Sequence, residues 1–314
     1  MSYEQLKTDF LIKSPFYSPS INLAIEEFFL KSSRNEFAIF YQNDPAVIIG
    51  KHQNIFAEVN YPFLVANKIP IRRRLSGGGT VYHDRGNLNF CFITNIKNKK
   101  WIDFDLQVQP IVSFLESLGL EISKQKNTSL FVNQKKISGN AEHIDQKAKR
   151  ILHHGTLLIN SNLEMLDKIC APRNNKFSDL GIPSVRSKVE NLTQWTDLTA
   201  PELQEKCIQS VAPNCKMYHL TDFDKMEIQK IANEKYEQWA WNIAYGPKFT
   251  KSVFFKESHF QLQVKKGIIE DCFWLQKPIF SEKDIQGKKF EWNTIMKFLE
   301  KHHLPQELIT KIFT

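Results

Sequence analysis

Arg72-Arg73-Arg74-Leu75-Ser76-Gly77-Gly78-Gly79-Thr80-Val81-Tyr82-His83-Asp84 is the stretch on which the reading of this chain turns. Three successive glycines let backbone N–H groups come close to an anion, because no Cβ stands in the way. The arginines just upstream supply fixed charge and forked donors suited to phosphate or carboxylate. Three glycines alone would read as a plain hairpin; flanked by Arg73-Arg74 and His83-Asp84 they read as an anion site. Two familiar phosphate loops are excluded. No lysine follows Gly79 as a Walker A loop requires, and Tyr82 stands where a dinucleotide fingerprint needs its last glycine.

Outward from the loop, 314 residues suggest roughly two domains. The 42% apolar content supports a proper core, and 24% charged residues suits a soluble protein. No apolar run is long enough to span a membrane, and the first residues carry neither a secretory nor a mitochondrial pattern. Cysteines at 91, 170, 207, 215 and 272 form no Cys-x-x-Cys pair, so reduced thiols in a cytoplasmic protein are expected. A formal charge of +8 favours an acidic partner. The lysines are scattered, and nothing matches the aromatic-glycine signatures of RNA modules, so nucleic acid is not the expected partner.

The periodicity predicts a helix through 22–30 capped by Ser20, then a hairpin of 37–41 and 46–49 turned by Asn43-Asp44-Pro45. A short helix near 61–67 and a strand from Ile69 lead into the glycine loop. A helix over 105–118 follows, with Pro110 arguing for a late start. Short strands at 129–133 and 135–137 should end in a Ser138-Gly139 turn, before a longer strand at 150–160. Helices are expected at 201–211 and 221–239, the second opened by Thr221 and Asp224. The composition shifts near Tyr245-Gly246-Pro247. Beyond it strands at 249–255, 260–264 and 268–275 and helices near 291–300 and 305 suggest a small α+β accessory domain, 247–314, after a catalytic domain, 1–246. Irregular interleaving of strands and helices indicates α+β, not a parallel doubly wound sheet.

Lys136, beside Ser138-Gly139-Asn140-Ala141, is a candidate ammonium for phosphate or carbonyl oxygen, although alone it reads as an exposed lysine. Adjacent His153 and His154 on a strand point to opposite faces, which argues against a shared metal and for one structural and one site histidine. Ser76, His83 and Asp84 are no triad on adjacency alone. Trp195, Trp239, Trp241 and Trp274 read as core or interface residues.

In order, these pieces resemble the lipoate–protein ligase family. The matching stretches are 22–27 (Asn-Leu-Ala-Ile-Glu-Glu), 47–54 (Val-Ile-Ile-Gly-Lys-His-Gln-Asn) and 73–87, the glycine loop. They continue with 136–141, 153–158, 184–192 (Ser-Val-Arg-Ser-Lys-Val-Glu-Asn-Leu) and 239–242 (Trp-Ala-Trp-Asn). The resemblance implies a mixed, largely antiparallel sheet flanked by helices, as in biotin ligases and class II aminoacyl-tRNA synthetases. It implies a two-step reaction: lipoate and ATP give lipoyl-AMP, and the lipoyl group then passes to a lysine of an acceptor domain. The implied acceptors are the lipoyl domains of 2-oxoacid dehydrogenase E2 subunits and the glycine-cleavage H protein. By position, Arg74 and Gly79-Thr80-Val81-Tyr82 would contact the nucleotide, with Gly77, Gly78, His83 and His154 nearby, and Lys136 would bridge lipoyl carbonyl and phosphate as the catalytic residue. Mg2+ is expected with ATP.

Two departures carry expectations. The family commonly has Asn-Asp before the catalytic-lysine strand, whereas this chain reads Asn127-Thr128-Ser129. That implies activation from ATP slower than transfer from lipoyl-AMP, unless Asp84 or Glu142 serves the metal. Pro172 is followed by Arg173, so Cys170 is not expected to act as the nucleophile of the octanoyltransferase branch. The alternatives are a lipoyl-AMP-dependent lipoyltransferase and a non-catalytic adenylate-binding regulator.

Overall fold

The computed structural model describes residues 6, 8–96, 104–125, 129–170 and 176–314. In chain order the strands are β1 (Phe10–Lys13), β2 (Phe37–Tyr41), β3 (Ala46–Ile49), β4 (Ile71–Arg73), β5 (Val81–His83), β6 (Asn87–Asn95) and β7 (Ser123–Gln125). Next come β8 (Ser129–Val132), β9 (Lys135–Asp145), β10 (Arg150–Leu158), β11 (Phe177–Asp179) and β12 (Lys216–Met217). The last three are β13 (Phe249–Phe255), β14 (Ser258–Lys265) and β15 (Ile268–Gln276).

The main sheet runs β12-β1-β2-β6-β10-β9-β8-β7. Only β1 is parallel to its neighbours; every other pairing in this sheet is antiparallel, so the fold is α+β with a mixed, largely antiparallel sheet. Period-two alternation divides its central strands between two cores. Ile39, Cys91 and Ile93 face helix Pro19–Ser32, while Phe40, Phe90 and Phe92 face helices Phe104–Ser117 and Ala200–Val211.

Helix Pro19–Ser32 is buried almost all round, glutamates included. Its cap is Ser18, whose side chain accepts from Ile21 N; the expected cap, Ser20, lies within the first turn and receives Arg72 Nε instead. Pro19 at the first helical position has no N–H to leave unpaired and fixes the start two residues earlier than expected. Pro110 likewise does not delay its helix, which begins at Phe104.

Two further expectations are corrected. Strands β2 and β3 are not a hairpin: β2 joins the main sheet, while β3 is the centre of a separate sheet ordered β4-β3-β5. Burial on both faces explains this, because β2 and β3 are continuously apolar and each finds a different partner layer. The Ser138-Gly139 segment is no turn either, since β9 continues through Asp145 against β10. The predicted helix over 221–239 has its capping box at Thr221 and Asp224, but its α-helical part stops at Ile231. The chain then passes through π-helical segments Ala232–Tyr236 and Ala240–Ala244.

A third sheet, β11-β13-β14-β15, draws β11 from upstream of residue 246. The core beneath it is continuous from Val47, Phe56 and Tyr82 to Phe249, Phe290 and Phe313. Trp239 packs against the Gly267 turn between β14 and β15 and lies 4.6 Å from Lys289 Nζ, placing it at this interface. No helix among the described residues is long and apolar enough to cross a membrane.

Candidate active site

The glycine loop joins β4 to β5, which flank β3 on opposite sides, so it must cross the end of β3 at Gly50. The crossing is tight: a Cβ on Gly50 would lie 2.1 Å from the Gly78 carbonyl oxygen, and Gly78 itself has φ +83°. Neither position accepts a side chain without moving the loop.

The three arginines do different things. Arg72 pairs with Glu237. Arg73, fully buried, donates to the carbonyls of Gly50, Lys51 and Gln53 and to those of Trp241 and Asn242, pinning the loop base to the π-helical segment. Arg74 alone borders the cavity. Its Nη2 donates to the carbonyls of Gly77 (2.6 Å) and Gly79 (2.8 Å), and its Nε to Ser76 Oγ (3.0 Å). The loop therefore wraps its own carbonyls around a guanidinium. Burial pushes Arg74 down to about 10, which leaves it charged at neutral pH.

That cavity has a volume of about 660 Å³ and lies between the loop and the main sheet. Gly77, Gly78, Gly79, Thr80, Val81 and His83 form one side; Lys136 and His154 rise from the sheet. Tyr82 is the predicted site residue that does not border it: pairing with Val47 turns its ring into the C-terminal core. Its contact with a nucleotide would have to come from the backbone.

Lys136 N donates to Lys188 O at 2.7 Å, and Glu190 N donates to Lys136 O at 3.0 Å, so the 188–190 segment clamps the lysine backbone. A Cβ on Gly139 would lie 3.2 Å from Lys136 Nζ, so the missing side chain leaves room for the ammonium to fold over the strand. No ion pair of Lys136 appears among the described residues. Burial, then the charge of Arg74, lowers its pKa below an ordinary lysine's.

His154 and His153 do face opposite ways. His154 Nε2 meets Ser76 Oγ at 2.6 Å and its Nδ1 meets Glu26 Oε2 at 2.9 Å, while Tyr41 OH donates to Glu26 Oε1 at 2.9 Å. The atom order is that of a nucleophilic triad, but Ser76 is 1% exposed and its oxygen receives Arg74 Nε, so no hydroxyl is presented to substrate. The chain instead fixes the glycine loop to the sheet. His153 is structural, with Nδ1 2.9 Å from Glu142 Oε1. The Ser76-His83-Asp84 set is not assembled: His83 Nδ1 meets Asn43, and Asp84 accepts from Gly86 N and Asn162 N.

Two side chains that sequence reasoning passed over organise the rim. Gln53, fully buried, accepts from Gly50 N (3.0 Å) and Thr80 Oγ1 (2.9 Å) and donates to Ile182 O (3.1 Å) and Ser184 Oγ (3.0 Å). Ser184 Oγ also accepts from Thr80 N at 2.9 Å. Segment 182–187 thus lies over the cavity, latched to the glycine loop. Its only sequence signal is that residues 47–54 and 184–192 both belong to the family pattern.

Among the described residues no cluster of three or more metal-ligating side chains exists. Asn127 and Thr128 lie outside the described residues, as do Pro172 and Arg173. Asp84 is committed to two backbone N–H groups. Glu142 borders the cavity, but its carboxylate is buried, with Oε1 held by His153 and Oε2 without a hydrogen-bond partner among the described residues. Cys170 is only partly buried, yet burial pushes its thiol up to about 11, against a nucleophilic role.

Residues 18–212 match the lipoyl protein ligase A/B catalytic domain. The chain is 35% identical over 301 residues to lipoate-protein ligase LplJ of Bacillus subtilis, covering 90% of each. It is 36% identical over 271 residues to lipoate–protein ligase 1 of Staphylococcus aureus, covering 83% of this chain and 82% of that one. In structure it is similar to lipoate-protein ligase A bound with ATP, with TM-score 0.63, 25% identity, and coverage of 75% of this chain and 98% of the other. The LipL1 of P. falciparum in complex with lipoate shares the fold, at TM-score 0.65, 24% identity, and coverage of 93% and 94%. With the glycine loop, Arg74 and Lys136 gathered on one cavity, the chain belongs to the lipoate–protein ligase family, an ATP-dependent enzyme class that attaches lipoate to protein.

Proposed function

We propose that this cavity carries both half-reactions, with Lys136 as the catalytic residue. In the first, a lipoate carboxylate oxygen attacks the α-phosphorus of ATP; the bond to pyrophosphate breaks, giving lipoyl-AMP. In the second, the amine of an acceptor lysine attacks the acyl carbon, the acyl–oxygen bond breaks, and AMP leaves with an amide formed. Charge develops on phosphate oxygens in one step and on the carbonyl oxygen in the other. A cation able to reach both stabilises both, and this is the role the reading gives to Lys136. With Arg74 holding the carbonyls of Gly77 and Gly79, the N–H groups of the glycine loop are the phosphate donors in this reading. The carrying observation is Lys136 Nζ folded over Gly139, across the cavity from that loop.

The donor set fits magnesium only as an ion held mainly by nucleotide phosphates. Glu142 is the one acidic residue bordering the cavity among the described residues, but its buried carboxylate pairs with His153 on the sheet face opposite His154, so the nucleotide phosphates and water would supply the ion's ligands. When bound, the ion would neutralise the leaving pyrophosphate. The acceptors we propose are E2 lipoyl domains and the glycine-cleavage H protein.

The deciding experiment follows acceptor mass and pyrophosphate release together. Ligation from lipoate and ATP should add one lipoyl group per lipoyl domain. Pyrophosphate release much slower than transfer from synthetic lipoyl-AMP would favour the lipoyltransferase reading, which rests on Ser129 at the cavity wall where the family commonly has an acid nearby. No mass gain from either donor would leave only adenylate binding.

A further inference from the structure

The cavity has two ends, and the strand register separates them. Tyr41, Asn89, Thr156, Gly139 and Ser129 are successive partners across β2, β6, β10, β9 and β8, and all five border the cavity. Four strand spacings make this row about 19 Å long. Lys136 lies over its Gly139 end. His83 lies at the Tyr41 end, since it pairs with Ala46 and bonds Asn43, two residues beyond Tyr41. If the acid group of the substrate is held by Lys136, its tail points toward His83.

The tautomer of His83 is set by its neighbours. Asn22 Nδ2 donates to the carbonyls of Phe16 and Gln42 and to Asn43 Oδ1 (2.8 Å). Asn43 Oδ1 is therefore the acceptor of its amide, so Asn43 Nδ2 is the donor to His83 Nδ1 at 2.9 Å. A neutral His83 must then carry its proton on Nε2. It is neutral: burial first, then the charges of Arg74 and His154, push its pKa down to about 3. Among the described residues Nε2 has no partner and is buried.

The other polar groups at this end are engaged. Tyr41 OH donates to Glu26, and Asn89 lies between Tyr41 O and Asn87. Leu23, Ile48 and Val81 make the remaining wall apolar. A buried unpaired N–H in such a wall is unfavourable until an acceptor meets it.

We propose that His83 presents a fixed Nε2–H donor to the tail of the acyl substrate, favouring a chain that ends in sulfur over a plain alkyl chain of equal length. A dithiolane sulfur is a weak acceptor that fits an apolar slot, whereas a terminal methyl leaves the N–H unmet. The inference rests on the lipoate ligase reading, and failure of the wild-type protein to ligate either acid would count against that reading, not this one.

The test compares lipoate with octanoate in acceptor ligation by the full chain. In His83→Phe, kcat/KM for lipoate should fall about tenfold further than that for octanoate, the scale on which small pocket differences discriminate. An equal fall for both acids, or no fall, overturns the proposal. Because His83→Phe can also disturb the buried Asn22-Asn43 relay, the wild-type protein supplies a second reading by 15N–1H NMR. The His83 Nε2–H resonance should be present in the free protein and shift with lipoate but not with octanoate. A proton found on Nδ1, or equal shifts with both acids, overturns it as well.

Discussion

At the scale of single residues, what matters is which buried charges are paired. Glu27 accepts from Lys235 and Tyr236, and Glu26 from Tyr41 and His154, so two glutamates sit inside a helix without an unpaired charge. Lys136 borders the cavity and has no ion pair among the described residues, as its proposed role requires. Lys136→Ala should remove about 3–4 kcal/mol of barrier lowering, as loss of an oxyanion donor does, even when lipoyl-AMP is supplied. Single-turnover transfer to a lipoyl domain checks this, and a mutant retaining most of the rate would refute the assignment. Since its pKa is lowered, the alkaline loss of activity should begin below the pH at which an exposed lysine titrates.

Lys251 is the opposite case. Its side chain is fully buried in the C-terminal core, with Nζ 4.2 Å from the Phe177 ring and no hydrogen-bond partner among the described residues. Burial, with the charge of Lys176, pushes its pKa down to about 7. The unfolded chain therefore binds more protons than the folded one between about pH 7 and an ordinary lysine's 10.5, and stability should rise with pH across that window. Lys251→Met should raise Tm by a few degrees at pH 6 and by less at pH 10. Thermal unfolding at the two pH values decides it; equal shifts would mean the amine is neutral throughout.

At the scale of elements, the rim depends on a side chain with four hydrogen bonds. Gln53→Leu would orphan groups in the Gly50 turn, in Thr80 and in segment 182–184 together, each at about 1–3 kcal/mol if it stays buried. The expected result is faster tryptic cleavage at Arg186 and Lys188 and a KM for ATP raised about tenfold, with a smaller change in kcat. Unchanged cleavage would show that Gln53 does not hold the segment. Ser129→Asp tests the neighbouring strand, where a carboxylate for a hard cation is absent. It should raise pyrophosphate release from lipoate and ATP and leave transfer from lipoyl-AMP nearly unchanged; a wild-type activation rate already equal to transfer would show Ser129 to be no handicap.

At the scale of the whole molecule, residues 247–314 share a core with the rest. Removing them would expose Val47, Phe56 and Tyr82, which pack with Phe249, Phe290 and Phe313, and leave β11 without its sheet. Tyr82 adjoins the glycine loop, so the loss should reach the site. A chain ending at 246 is expected to bind a hydrophobic dye, unfold at lower temperature and ligate poorly; full activity at wild-type Tm would show that the removed residues fold and act apart.

The sequence by itself determined what is local. The three glycines announced a tight loop, because the Gly78 φ and its close approach to Gly50 leave no room for side chains. Alternation in 150–158 separated His153 from His154, since a strand has a period of two. Most element positions were legible for the same reason: caps, periodicity and turn residues act over a few positions. Tertiary structure decided what depends on partners distant in the chain. Continuous apolar strands such as 37–41 and 46–49 do not encode which layer they join, so the expected hairpin became two sheets. Three equal arginines were sorted into a surface pair, a buried pin and a loop brace by the carbonyls each one met. The roles of Gln53, Glu26 and Asn43 were likewise invisible, because a side-chain hydrogen bond to a residue scores of positions away leaves no period or spacing in the sequence.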